Sequence, residues 1–109
     1  MVLRAFGAHR PPRARITLVS PGSTLVYSGM VPGLIAGHYV DADCRIALAP
    51  LAAGAGATWL EGRATAIDAA ARRVTVMGTD GACESLSFDL LSIDLGGTIE
   101  PDAIPGAAR

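Results

Sequence analysis

Lysine, asparagine and glutamine do not occur anywhere in the 109 residues of this chain. The lack of lysine excludes a P-loop phosphate lysine, a Schiff-base nucleophile and a tyrosine–lysine reductase pair, because each needs the ε-amino group. The lack of asparagine excludes an N-glycosylation sequon. Only two cysteines occur, Cys44 and Cys83, and their spacing fits no CxxC motif. We therefore expect two free thiols and no dithiol redox centre.

Net charge is also small, at −1 with a pI near 6.0, so no overall field attracts the chain to polyanions. We expect neither nucleic acid nor a membrane as partner. The sequence has no run of about 18 apolar residues and no signal-like apolar stretch at its start, which predicts a cytoplasmic protein without a transmembrane segment. With 50% hydrophobic and 17% charged residues, the chain is long enough for one globular domain.

The first fifteen residues form a locally basic end, with four arginines, one histidine and no acid. A nucleic-acid-binding arm or a transit peptide would give such a composition. The apolar residues Val2, Leu3 and Phe6 instead favour the last turns of a helix, followed by a solvated loop at Pro11-Pro12.

Residues 15–19 are largely β-branched and are followed by Ser20-Pro21-Gly22, which predicts a buried strand that ends in a turn. Residues 27–39 are apolar but contain three glycines and a proline, so they allow at most one short helix, beginning near Pro32. Residues 46–55 predict a second short helix, with Pro50 in its first turn and Gly54-Ala-Gly56 as its C-terminal cap.

Three extended runs dominate the second half: residues 58–67, 73–77 and 85–88. Turn residues at 68–72 and 78–81 separate them, which predicts a three-stranded antiparallel meander. Residues 89–95 predict one more apolar strand, ended by Gly96-Gly97. Strands joined by helical crossovers, with a meander inserted, predict an α/β fold that contains parallel strands.

Motifs for common chemistries are absent or weak. The phosphate-binding pattern GxGxxG does not occur, and Gly54-Ala-Gly56 follows a helix where that pattern requires a strand. A metal site at His38, Asp41, Asp43 and Cys44 matches no strong ligand spacing, and we expect exposed polar loop residues there. Ser28 lacks the glycine that precedes a hydrolase nucleophile. The sequence predicts no catalytic residue and no metal site.

Two stretches resemble a known family: Ile16-Thr-Leu-Val-Ser-Pro21, and Tyr27-Ser-Gly-Met-Val-Pro-Gly-Leu-Ile-Ala-Gly-His-Tyr39. They are similar to the second strand and following loop of type II NADH dehydrogenase-like flavoproteins, in the FAD-dependent pyridine nucleotide-disulfide oxidoreductase superfamily. In particular, they resemble the branch that is sometimes fused to selenophosphate synthase. Residues 57–68, the meander and residues 88–97 resemble the rest of that family's flavin half.

The resemblance implies a partial FAD/NAD(P)-binding Rossmann-like domain, in an enzyme that passes hydride from NAD(P)H to FAD and on to an acceptor. It also implies cofactor-binding positions on four segments. Glycine suits a position against pyrophosphate because it has no Cβ to block close approach. By resemblance, Ser20 and Pro21 lie at the adenosine ribose without the usual acidic ligand, Arg63 and Ala64 at the adenine, Tyr27, Ser28 and Gly29 toward the flavin ring, and Gly96 and Gly97 at the pyrophosphate.

Members of this family begin with a strand and a glycine-rich loop, whereas residues 1–6 resemble the end of the helix that follows them. We therefore expect residues 1–99 to be a partial domain without that strand and loop, and residues 100–109 to be a linker. As an isolated chain it would be an inactive fragment that binds no flavin. The alternatives are a non-catalytic structural or interaction module, and a flavin-binding protein in its own right. A missing central strand would leave a sheet edge open to self-association.

Overall fold

The computed structural model describes residues 2–9 and 12–96. In that part of the chain, four strands form one sheet in the order β1-β4-β5-β6, and β2 and β3 form a separate ribbon. The strands are β1 Ile16–Ser20, β2 Thr24–Val26, β3 Arg45–Ala47, β4 Ala57–Asp68, β5 Arg73–Gly78 and β6 Cys83–Ser87. The helices are α1 Val2–Ala8, α2 Val31–Ile35 and α3 Leu48–Gly54, so the predicted α/β class is confirmed.

The strands β1 and β4 run parallel, with Ile16 opposite Ala57 and Ser20 opposite Glu61. A parallel pair needs a long crossover, and the chain between the two strands supplies it through the ribbon, α2 and α3. The strand β1 therefore ends opposite Glu61, in the middle of β4, which continues to Asp68. Ligands bind beyond the carboxyl ends of parallel strands in open α/β folds.

Helix α3 packs on β4, and α1 packs on α3. Leu48 and Ala52 of α3 are each 1% exposed, and a Cβ on Gly7 would lie 3.4 Å from the carbonyl oxygen of Gly54, so the two helices touch through backbone. Pro50 lies in the first turn of α3, and Gly56, with φ +61°, follows the helix end. The predicted first-turn proline and C-terminal cap are confirmed.

The predicted meander is also confirmed, because β4, β5 and β6 pair antiparallel in sequence order. Local side chains build its two turns. Asp68 Oδ1 accepts the Ala71 N–H at 2.8 Å, and Asp80 Oδ1 accepts the Ala82 N–H at 3.0 Å. Gly81 adopts φ +81°, a conformation that favours glycine.

The strand predicted at residues 89–95 is wrong, because this segment forms no strand in the described structure. Leu90 is 87% exposed, Ile93 60% and Leu95 85%. An apolar sequence becomes a strand only where a neighbouring strand satisfies its backbone N–H and C=O groups. None of the described strands pairs with this segment.

The ribbon of β2 and β3 was not predicted from the sequence. Leu25 pairs with Ile46, which the sequence pattern had placed in the following helix. Each strand has only three residues, fewer than the four to eight that a recognisable strand pattern needs. The ribbon forms because two segments about twenty residues apart in the sequence pair with each other.

Few apolar side chains are buried. In the described residues the buried hydrophobic set consists of Cys44, Leu48, Ala52, Ala55, Val74 and Val76. No helix in residues 2–9 or 12–96 is long and apolar enough to span a membrane. The segment predicted as a linker, residues 100–109, lies outside the described residues, as does Gly97.

Candidate functional site

A shallow cleft of about 160 Å³ opens where β1 and the first half of β4 end. Pro21 follows β1 directly, and Arg63 lies two residues past the last β1–β4 pair. Both residues line the cleft, so the structure brings together two of the positions predicted from sequence. The other lining residues are Gly62, Met77, Gly78 and Thr79.

The Ser20 side chain beside this cleft already has a partner. Ser20 is 7% exposed, and its Oγ donates a hydrogen bond to the Gly22 carbonyl at 3.0 Å. The hydroxyl therefore shapes the turn after β1 and retains only acceptor capacity for a ligand. The hydroxyl groups of a ribose need a longer acceptor side chain, such as a carboxylate. None of the residues that line the cleft is acidic.

Arg63 supplies the only charge in the cleft lining. It is exposed on β4, and the structure gives its guanidinium no ion pair among the described residues. A planar cation of this kind stacks on aromatic rings or binds anionic groups. Ala64 follows it on the strand and is exposed, but is not part of the cleft lining.

The segment Tyr27-Ser28-Gly29 lies outside the cleft lining. The Tyr27 N–H donates to the Cys44 carbonyl at 2.8 Å, and a short 3₁₀ helix spans Ser28–Met30. The Tyr27 ring lies on Gly29, where a Cβ would stand 3.1 Å from the ring Cζ. This contact explains the glycine locally. Tyr27 remains 56% exposed.

The remaining predicted position, Gly96, is exposed, has φ +69° and does not line the cleft. Its predicted neighbour Gly97 lies outside the described residues. Of the predicted site, the structure therefore brings together Pro21 and Arg63, with Ser20 and Ala64 directly adjacent in sequence, and leaves the flavin-ring and pyrophosphate positions apart from the cleft.

A larger cavity of about 360 Å³, which the sequence did not indicate, lies between β4 and β6. Three carboxylates line it, from Glu61, Asp80 and Glu84, together with the exposed thiol of Cys83. Strand register and the turn after β5 put these residues together, since Glu84 of β6 pairs with Val76 of β5 and Asp80 lies in the turn between the two strands. Three carboxylates oppose the binding of a pyrophosphate.

The residues considered as metal ligands have other partners. Asp43 Oδ2 accepts the Val40 N–H at 3.1 Å, and Asp41 forms an ion pair with Arg45. That hydrogen bond with Arg45 lowers the pKa of Asp41 below its usual value. Cys44 is buried, contrary to the expectation of an exposed loop residue, because it ends a 3₁₀ helix that packs inward. No metal-ligand cluster occurs within the described residues.

The family recognised from the sequence uses FAD, and the described residues do not fit the whole dinucleotide. The cleft at Pro21 and Arg63 is smaller than the roughly 300–1,000 Å³ typical of sites for drug-sized ligands. The larger cavity is acidic. The 109 residues also contain no glycine-rich GxGxxG loop to hold pyrophosphate. The cleft is therefore too small for a whole dinucleotide.

No protein-family model matches the sequence, and no curated protein matches it either. Solved structures do match the fold. The sulfide:quinone oxidoreductase of the hyperthermophilic bacterium Aquifex aeolicus aligns with 81% of this chain and 20% of its own, at 25% identity and a TM-score of 0.64. NDH2 of Plasmodium falciparum, in complex with NADH, aligns with 89% of this chain and 20% of its own, at 18% identity and a TM-score of 0.71.

Both proteins are members of the FAD-dependent pyridine nucleotide-disulfide oxidoreductase family. The resemblance to this family that the sequence suggested is thus confirmed at the level of the fold, as a part of a Rossmann-like FAD-binding domain. This chain spans about one fifth of the length of either protein.

Proposed function

We propose that this chain, which has the fold of FAD-dependent pyridine nucleotide-disulfide oxidoreductases, is a scaffold part of a type II NADH dehydrogenase-like flavoenzyme. The parent enzyme would pass hydride from NAD(P)H to FAD and on to an acceptor. The observation that carries the proposal is the meeting of Pro21 and Arg63 at the carboxyl end of β1, where its parallel pairing with β4 stops. In this fold, that end is where a nucleotide binds.

We further propose that the 109-residue chain by itself neither retains flavin nor catalyses. The adenosine group would lie at the cleft, with Arg63 beside it. Nothing in the sequence supplies the glycine-rich loop that brings backbone N–H groups to a pyrophosphate. When bound in the parent enzyme, FAD would supply the two-electron chemistry. The role of this chain's own residues would be to bind and orient its adenosine end.

The alternative is a non-catalytic interaction module, and the exposed apolar surface favours it. Ile35, Leu90 and Leu95 are each more than 80% exposed, which is unusual for a finished domain surface. This exposure supports a surface that a further polypeptide covers. The free thiols of Cys44 and Cys83 support a reducing, cytoplasmic setting for either role.

Two titrations test the proposal. The purified chain should be colourless, and added FAD should keep its free fluorescence. A stoichiometric yellow protein would contradict the inactive-scaffold proposal.

Adenosine monophosphate should shift NMR signals of the cleft weakly, and Arg63→Ala should abolish those shifts. Arg4→Ala, which removes an exposed arginine on α1 away from the cleft, is the matched control and should leave them unchanged. Shifts that survive Arg63→Ala would place nucleotide binding elsewhere.

A further inference from the structure

The turn after β1 uses its own polar groups and leaves few of them for a ligand. Ser20 is 7% exposed, and its hydroxyl donates to the Gly22 carbonyl at 3.0 Å. Pro21 lies between these two residues and lines the cleft, and a proline has no backbone N–H to donate. A ribose at this turn therefore meets neither the proton of the Ser20 hydroxyl nor an N–H from Pro21.

The cleft lining also contains no carboxylate for the hydroxyls of a ribose. A carboxylate is the group that accepts hydrogen bonds from these hydroxyls in dinucleotide-binding folds. Glu61, the register partner of Ser20 on β4, does carry one, but it lines the larger acidic cavity and not the cleft. Among the described residues, the cleft thus offers the ribose no negatively charged acceptor.

Arg63 gives the cleft a preference for other parts of a nucleotide. Its guanidinium forms no ion pair among the described residues, and its polar groups are all donors. A guanidinium stacks on aromatic rings and binds phosphate oxygens. Its hydrogen bonds to a charged phosphate are about twice as strong as bonds to a neutral hydroxyl. Arg63 therefore favours the base and the phosphate over the ribose.

We infer that the cleft binds adenine nucleotides through the base and the phosphate and does not recognise the ribose, so that it accepts deoxyribonucleotides as readily as ribonucleotides. Ser20 sets this breadth, because it ends β1 directly before Pro21, where an acidic side chain would lie at the edge of the cleft. The inference rests on the proposed nucleotide site and names the class of ligand that this site accepts.

Parallel NMR titrations of the purified chain with adenosine monophosphate and deoxyadenosine monophosphate test the inference. We expect both to shift the same cleft signals, with dissociation constants that agree within about threefold. A hydrogen bond from the ribose to a charged acceptor would instead separate the two constants by about tenfold or more. Such a separation would overturn the inference and leave the proposed site intact. If neither nucleotide shifts the cleft signals, the proposed site and the inference both fail.

Variants of Ser20 test its role in specificity. Ser20→Asp adds a carboxylate and should favour the ribonucleotide by about tenfold, whereas Ser20→Ala, the matched control, adds no acceptor and should leave the ratio of the two constants near one. The ratio is the readout because both nucleotides carry the same phosphate, so that the added charge affects them equally.

Two results with these variants would overturn the assignment of Ser20. One is a folded Ser20→Asp protein that still binds both nucleotides equally, and the other is a ratio that changes in Ser20→Ala, since the native hydroxyl would then contact the ribose. The NMR spectrum itself reports whether each variant is folded. If Ser20→Asp does not fold, the titrations of the unaltered chain and of Ser20→Ala decide the inference.

Discussion

The replacement of Gly62 by alanine should destabilise the fold, because β4 changes partners at this residue. Glu61 is the last β4 residue that pairs with β1, and Gly62 is the first that pairs with β5. A Cβ on Gly62 would stand 2.7 Å from Val76 Cγ1 and 2.9 Å from the Met77 carbonyl oxygen, closer than van der Waals contact allows. Val76 is 1% exposed, and the Met77 carbonyl is a backbone group that cannot rotate away as a side chain can. We expect a loss of about 1–3 kcal/mol, as for other overpacked cores.

The matched control for this prediction is Gly54→Ala, the same change at the end of α3. A Cβ there meets nothing within 4 Å, and the residue is helical. The alanine should stabilise the protein by up to about 1 kcal/mol, since it lowers the entropy of the unfolded chain. Urea unfolding, followed by the fluorescence of the single tryptophan, Trp59, measures both changes.

A double-mutant cycle identifies the contact responsible. Val76→Ala removes the Cγ1 methyl but leaves the Met77 carbonyl in place. The combined Gly62→Ala and Val76→Ala variant should be more stable than the sum of its single losses by about 0.5 kcal/mol or more. A Gly62→Ala protein as stable as the parent, or additive losses in the cycle, would refute the proposed close packing at the change of partner.

Two further predictions concern the core and an ion pair. Leu48→Ala should lower the free energy of unfolding in urea by about 2–5 kcal/mol, because Leu48 is 1% exposed. Ile35→Ala, at an 83% exposed position, should change that free energy by less than about 0.5 kcal/mol. Equal losses in the two variants would contradict the described core. Asp41→Asn should lower the melting temperature slightly at pH 7. The hydrogen bond with Arg45 lowers the pKa of Asp41, so this ion pair is stabilising above about pH 3.9, the ordinary pKa of an aspartate, and is lost as the pH falls through the folded pKa. The difference in melting temperature between the two proteins should shrink over that fall, and a difference that stays constant would contradict this.

Local chemistry made the meander and its turns predictable from sequence. Asp68 and Asp80 each accept a backbone N–H inside their own turn, and Gly81 occupies a conformation that other residues rarely adopt. Such signals span only a few residues, so the sequence contains them in full. The helix α3 was predictable for the same reason, from Pro50 in its first turn and Gly56 after its end.

Pairing between distant segments was not predictable in this way. The ribbon of β2 and β3 depends on contact between Leu25 and Ile46, and neither segment is long enough to show a period. The acidic cavity likewise depends on register, because Glu61 and Glu84 lie on strands separated by β5. At the candidate site, the meeting of Pro21 and Arg63 follows from one parallel pairing, whereas the placement of Tyr27 and Gly96 depends on loops with no such constraint.

The segment after β6 is apolar in sequence but exposed in the structure, and its contribution to stability can be tested directly. If Leu90, Ile93 and Leu95 lack strand neighbours, as the structure shows, changing all three to serine should alter the free energy of unfolding by no more than about 1 kcal/mol. Leu91→Ser is the control within the same segment, because Leu91 is half-buried and its loss should cost about 1 kcal/mol or more by itself. A loss above about 3 kcal/mol for the triple variant would mean that the segment packs in solution as the strand its sequence predicts. A small loss would leave this apolar surface free for another polypeptide, as the interaction-module alternative requires.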